Sequence, residues 1–296
     1  MLIYDTLIVG CGPAGIFAAI KLKELGFNVA ILEYSMPGGK VNIAPRVDNF
    51  PGYKEISGPD LAFAFFTQMN EAGIEMIPTR VESIKKDGDI FNVITSDGIY
   101  HSKTVIAASG TDEKKLELDN EKALLGHGLS YCAICDGHFF KDQIVMVVAE
   151  DKYAISEAIY LAKLAKEVIV VTSLSSLKGD KRLLDELSTF NNVKYIYNSK
   201  VTKLIGITLR KVELNHNQEY EVNGIFPLLG YLPNTSYLPI SILNSDGFVM
   251  VNRNYETNIS GLYAIGDVID RELKQIYLAK IDAEKVTDVI KGYLHG

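Results

Sequence analysis

The turn Gly10-Cys11-Gly12-Pro13-Ala14-Gly15 limits what this chain can fold into more than any other stretch. It follows residues 2–9, an apolar run that reads as a buried strand. It opens a segment of helical periodicity from about Pro13 to Leu25, stopped by Gly26. A second strand, Asn28 to Leu32, ends in Glu33, 18 residues beyond Gly15. Glycines at this spacing have separate tasks. The first makes a tight turn, the second lets the backbone approach a pyrophosphate, and the third lets helix and strand pack closely. The helix N-terminus faces the phosphates, and the acid after the second strand accepts hydrogen bonds from a ribose hydroxyl. The pattern predicts a dinucleotide-binding β-α-β unit, with Gly10, Gly12, Gly15 and Glu33 as contacts. Cys11 reads as a small filler.

The unit recurs. A strand at Ile144 to Val148, a helix from about Tyr153 to Lys166 and a strand at Val168 to Val171 repeat the order. With 296 residues the chain has room for two domains of ~150. Between the two units lie a Gly/Pro/Asn-rich loop at 36–60, a helix from about Gly58 to Ala72, short strands from Glu75 to Ala108, and a charged linker from Thr111 to Lys122. A helix from about Gln275 to Lys291 closes the chain. The net charge of −7 makes nucleic acid or an anionic membrane a poor default partner. No apolar run approaches the ~18 residues of a membrane span, and the N-terminal segment lacks the basic start of a signal peptide. The expectation is a cytoplasmic protein.

Two of the three cysteines form the pair Cys132-Ala-Ile-Cys135. Such a pair closes a small disulfide ring and exchanges two electrons, as a flavin does. A structural zinc takes four ligands, and neither His127 nor His138 stands at a usual zinc spacing, so no metal is expected. His138 reads as a surface or packing residue.

From end to end the chain resembles the low-molecular-weight thioredoxin reductases. The resemblance is carried by Gly10–Gly15 with Glu33, by P-G-G-K-V (Pro37 to Val41), D-N-F-P-G-Y (Asp48 to Tyr53) and I-S-G-P-D-L (Ile56 to Leu61). It continues through A-A-S-G (Ala107 to Gly110), S-Y-C-A-I-C-D-G (Ser130 to Gly137), L-G-Y-L-P-N-T (Leu229 to Thr235) and G-L-Y-A-I-G-D (Gly261 to Asp267), followed by K-Q-I (Lys274 to Ile276). It implies an α/β fold of two Rossmann-like three-layer nucleotide-binding domains. An FAD domain, 1–112 and 243–296, is split around an NAD(P)H-binding-like domain, 113–242, that carries the redox pair. The residues it implies for FAD are Gly10, Gly12, Pro13, Ala14, Gly15, Glu33, Gly39, Lys40, Asn49, Val81, Gly110, Gly266, Asp267, Gln275 and Ile276. It makes Cys135 the flavin-proximal thiol, Cys132 the thiol that attacks thioredoxin, and Asp136 the acid/base beside them. It also implies a homodimer.

The second unit departs from that pattern. In place of a glycine-rich turn it reads Ala149-Glu150-Asp151-Lys152-Tyr153-Ala154, and only the last small residue fits. A Cβ at the second glycine position crowds a phosphate, and two acids stand where a pyrophosphate would lie. Val171 to Ser176, after the next strand, offers no arginine for a 2′-phosphate and no acid for a ribose. The chain is therefore most like the branch that lacks NADPH motifs and takes electrons from reduced ferredoxin. Ferredoxin gives single electrons while a disulfide takes two, and a flavin joins the two. Docking an acidic ferredoxin needs a local basic patch, for which Lys114-Lys115, Lys178 with Lys181 and Arg182, Lys200 with Lys203, and Arg210-Lys211 are candidates. The alternatives are an NAD(P)H-dependent reductase with an atypical nucleotide site, a flavin dithiol oxidase using oxygen, and a redox sensor.

Overall fold

The computed structural model describes residues 2–296, with the side chain of His216 aside. It divides into two units, one of residues 1–112 and 232–296 and one of residues 113–231.

Unit 1 is built on a parallel sheet in the order β3-β2-β1-β6-β16, from β1 (Ile3–Val9), β2 (Val29–Glu33), β3 (Glu75–Pro78), β6 (Gly98–Ala107) and β16 (Leu262–Ala264). The long strand β6 also closes an antiparallel meander with β4 (Val81–Asp87) and β5 (Ile90–Thr95). Successive side chains of a strand point to opposite faces, and β1 shows the result. Ile8 packs in the cluster that holds Ile16, Ala19 and Leu22 of α1 (Pro13–Glu24), Leu61 and Phe65 of α2 (Gly58–Glu71), and Ala283 and Val286 of α7 (Ile276–His295). Leu7 and Val9 pack in the other cluster, with Ile84, Phe91 and Val93 of the meander. The layers are helices, parallel sheet and meander.

Unit 2 repeats the plan. Its parallel sheet runs β10-β9-β8-β14, from β8 (Ile144–Ala149), β9 (Glu167–Val171), β10 (Val193–Ile196) and β14 (Gly224–Leu228). Val145 and Val147 face α5 (Ala154–Ala162) and Leu187 of α6 (Lys181–Ser188). Met146 and Val148 face a meander of β11 (Val201–Ile205), β12 (Lys211–Leu214) and β13 (Gln218–Glu221). Two Rossmann-like three-layer units are thus present, as the α/β fold class expects.

Three expectations need correction. The chain returns to unit 1 at Tyr231/Leu232, not at 242/243, because Tyr237, Leu238 and Ile242 are buried in the cluster of Leu7 and Val105. The charged stretch after Gly110 is not a bare linker. It holds β7 (Thr111–Glu113), paired with β15 (Tyr231–Pro233), and a helical turn α3 (Glu121–Leu124) pinned where Glu121 accepts the amides of Leu116 and Leu118. The closing helix runs on to His295, whose ring meets Phe27 at 5.4 Å. Among the described residues no helix is long and apolar enough to cross a membrane.

Candidate nucleotide sites and dithiol

In unit 1 the glycine turn leaves β1 with Gly10 at φ 108°, a left-handed conformation that favours glycine, and a Cβ there would stand 2.5 Å from the Ala108 carbonyl oxygen. A Cβ on Gly15 would collide with the Gly10 carbonyl. Gly12 differs, since a Cβ there would meet nothing within 4 Å. Gly12 is the N-cap of α1, Pro13 opens the helix, and no side chain caps its first amides. Open space above uncapped amides is what a pyrophosphate requires, so the turn fits a dinucleotide. Glu33 closes the turn from below, its carboxylate accepting the amides of Cys11 at 2.7 Å and Ser35 at 2.8 Å. Burial, with Glu33 nearby, pushes the Cys11 thiol up to about 12, which fits a filler.

Some of the other predicted residues stand beside this turn, and the rest pair elsewhere in unit 1. Gly38 donates to the Cys11 carbonyl at 2.7 Å, which brings Gly39 beside Gly12. Gly266 has φ 73° and lies so close to Ala14 that a Cβ would stand 2.8 Å from the Ala14 methyl. Lys40 pairs with Asp267 at 2.9 Å and donates to Thr111 at 3.0 Å. Burial would raise the Asp267 carboxyl, but Lys40, Lys274 and Arg271 outweigh it and hold the group below the usual range. Burial lowers Lys274 to about 8, against the pull of Asp267. Asn49 donates to Gln275 at 2.8 Å, where Gln275 caps α7 and Ile276 opens it. Gly110 accepts the amide of Asn234 at 3.0 Å. Val81 opens β4 two residues past Thr79, whose amide donates to the Glu33 carbonyl at 3.0 Å, so it belongs to the Glu33 end.

Sequence reasoning missed Asp282. This buried acid of α7 accepts the Gly266 amide at 2.9 Å, an Arg271 guanidinium N–H at 2.5 Å and the Tyr255 hydroxyl at 2.8 Å. It fixes the backbone that presents Asp267. The available signal was an acid among the apolar positions Ala279, Ala283 and Val286 of one helix face.

In unit 2 Cys132 and Cys135 are joined as a disulfide with their Cα atoms 5.3 Å apart. Cys132 is the N-cap of α4 (Ala133–Asp136), and the Cys135 amide donates to the Cys132 sulfur at 3.1 Å. Ser130 accepts the Cys132 amide at 3.1 Å and donates to the Asp136 carboxylate at 2.6 Å, while its own amide holds β14 through the Ile225 carbonyl at 3.1 Å. Asp136 is thus oriented beside the pair. Glu157 of α5, also missed, accepts the Ala133 amide at 2.6 Å. His138 packs its ring on Phe139 at 3.9 Å. Among the described residues no group of three or more His, Cys, Asp or Glu side chains is placed to hold a metal.

Strand register fixes the comparison of the two turns. Val9 pairs with Leu32 and Val148 with Val171, so Ala149, Asp151 and Ala154 stand where Gly10, Gly12 and Gly15 do. Where Gly12 opens to space, Asp151 turns its carboxylate onto the Tyr153 amide at 2.9 Å. Glu150 reaches across to Ser173, accepting its amide at 2.6 Å and its hydroxyl at 2.9 Å. Val171 to Ser176 carries no acid of its own, as expected, but the turn after β8 supplies one to that place through Glu150. Of the basic clusters, Lys115 pairs with Glu113 at 3.5 Å and Lys211 with Glu219 at 3.0 Å.

The family described as pyridine nucleotide-disulphide oxidoreductase matches residues 4–283. The chain is 37% identical over 285 residues to a thioredoxin reductase of Mycoplasma pneumoniae, covering 93% of this chain and 90% of that one. A thioredoxin reductase structure from Streptococcus pyogenes matches at 36% identity and TM-score 0.91, over 99% and 98% of the two chains. A ferredoxin-flavin thioredoxin reductase structure from Clostridium acetobutylicum matches at 30% identity and TM-score 0.55, over 99% and 98%.

Proposed function

We propose, from the premise that this chain belongs to the thioredoxin reductases of the pyridine nucleotide-disulphide oxidoreductase family, that it passes electrons from reduced ferredoxin to the disulfide of thioredoxin. The protein is a flavoprotein with a redox-active Cys132–Cys135 pair, and FAD is its cofactor. One observation carries the choice of donor. In unit 2 the carboxylate of Asp151 takes the Tyr153 amide at the turn where a pyridine nucleotide would lay its pyrophosphate. A phosphate there meets a side chain and two like charges, at a cost of roughly 1–3 kcal/mol per pair at ~5 Å. The related Clostridium structure is described as a ferredoxin-flavin thioredoxin reductase.

In this reading FAD supplies the junction between one-electron and two-electron chemistry. The chain's residues bind and position it. The open space at Gly12 and the first amides of α1, beyond Pro13 at Ala14 and Gly15, take the pyrophosphate, with Gly39 and Gly266 walling the turn. Glu33 takes a ribose hydroxyl, with Val81 at the same end, and Lys40, Asp267, Asn49, Gly110, Gln275 and Ile276 line the flavin side. Two electrons and two protons convert the Cys132–Cys135 disulfide to two thiols. The Cys132 thiolate attacks the thioredoxin disulfide, forming a mixed disulfide and releasing a thiolate that takes its proton from the Asp136 side. Cys135 then displaces the second thioredoxin sulfur and restores the starting pair. The enzyme is read as a cytoplasmic homodimer.

A second reading, with NADH as donor, has its own support. Glu150 on Ser173 puts an acceptor where a ribose hydroxyl would be read, and the same charge opposes a 2′-phosphate. Flavin absorbance recorded without oxygen separates the cases. Bleaching by reduced ferredoxin and not by NADPH or NADH, followed by thioredoxin reduction, is the expected result. Fast bleaching by either nucleotide overturns the ferredoxin assignment, and rapid oxygen uptake with a small dithiol would turn the reaction round.

A further inference from the structure

A carboxylate lies beneath the dithiol. The Oε2 atom of Glu157 accepts the amide of Ala133 at 2.6 Å, and the amide of Ile134 donates to the same carboxylate. These are the first two amides of α4, the single helical turn that Cys132 caps and that contains Cys135. Backbone dimensions place Oε2 within roughly 5 Å of the Cys132 Cα. The groups facing Glu157 come from every neighbouring element. Glu113, Tyr131, Asp151, Tyr153 and Tyr231 line one small cavity with it. Lys115 lies 3.8 Å over the Tyr131 ring and Lys152 lies 4.8 Å over the Tyr153 ring. From α4 come the cysteine pair and Asp136, the latter held by Ser130 at 2.6 Å. Burial pushes the Glu157 carboxyl up to about 7, the two amides oppose the rise, and Asp151 adds to it.

We propose that Glu157 is a positioning residue through which the acid-substituted turn sets the acidity of the redox pair. Amides at the start of a helix ordinarily favour a thiolate at its first residue. Here Glu157 occupies two of them and adds a negative charge, so it opposes ionisation of Cys132 when the disulfide has taken up two electrons and two protons. Asp151, at the place of the second turn glycine, biases Glu157 in turn. The proposal rests on the pair being redox-active and on no particular electron donor.

The test is alkylation of the holoprotein after reduction with dithiothreitol, following Cys132 modification by iodoacetamide from pH 5 to 10. The native protein should show two steps, the lower one near pH 7 reporting Glu157. In Glu157→Gln, which keeps an acceptor for the amides, the lower step should vanish and the thiol midpoint should fall by about one pH unit, the effect of one charge at ~7 Å. In Asp151→Asn the lower step should persist but move to lower pH. An unchanged midpoint in Glu157→Gln reduces the residue to a neutral cap and overturns the proposal. Should that variant lose its fold, a lower step unmoved in Asp151→Asn overturns it instead.

Discussion

At the scale of single residues, the two outer glycines of the unit 1 turn are required by the fold while the middle one is not, which leaves it to the proposed ligand. Gly12 has φ −80°, which any residue adopts, and faces open space. Gly12→Asp should therefore leave thermal unfolding of the flavin-free protein near that of the native chain while weakening FAD binding at least about tenfold, read from flavin content after purification. Gly15→Val, which drives a side chain into the Gly10 carbonyl, should instead give little folded protein. Asp267 gives a pH dependence. Burial works against its charge but Lys40, Lys274 and Arg271 prevail, so its pKa is lower folded than unfolded. Its contribution is complete above the unfolded value near 4, and it is lost as pH falls through the folded value. Urea midpoints should fall on acidification below pH 4, less steeply in Asp267→Asn. The glycines and the cysteine pair were legible because their chemistry is written in six or fewer adjacent residues. Asp282 and Glu157 were not, because each takes its meaning from amides far away in the chain.

At the scale of elements, helices are held by what their ends and buried faces touch. Ser57 accepts the Asp60 amide at 3.2 Å and donates to its carboxylate, closing the first turn of α2. Ser57→Ala should cost about 1 kcal/mol in chemical unfolding. Asp282 ties α7 to Gly266, Arg271 and Tyr255 at once, and Asp282→Ala leaves a half-buried guanidinium without its partner. A loss of roughly 3–5 kcal/mol is expected, with flavin released at lower denaturant than in the native protein. Strand and helix order was readable from periodicity in the two β-α-β units, but α6 between β9 and β10 and the turn α3 were not read. Nor were the ends. The last turn of α7 brings His295 against Phe27, and the short strand β7 pairs with β15, contacts that no local pattern carries.

At the scale of the whole molecule, one layered plan is used twice, and the second copy is a continuous run of chain set inside the first. Its helices and meander cover both faces of its own sheet, so residues 113–231 should fold alone. A fragment of those residues is expected to show the far-UV circular dichroism of an α/β protein and a single cooperative thermal transition, and a noncooperative melt would refute that. The fold class was plain in the sequence because two β-α-β signatures were. The point of return was not, since Tyr237, Leu238 and Ile242 announce themselves only by what they pack on. The split has a consequence in time. On the ribosome, the inserted unit is complete once Tyr231 has emerged, whereas the split unit still lacks β16, the Gly266–Asp267 turn and α7. At roughly 5–20 residues per second those pieces arrive several seconds later. During that interval residues 105–107 of β6 lack their partner strand and the glycine turn has no far wall, so a nascent chain should hold its dithiol unit finished before it can hold its flavin.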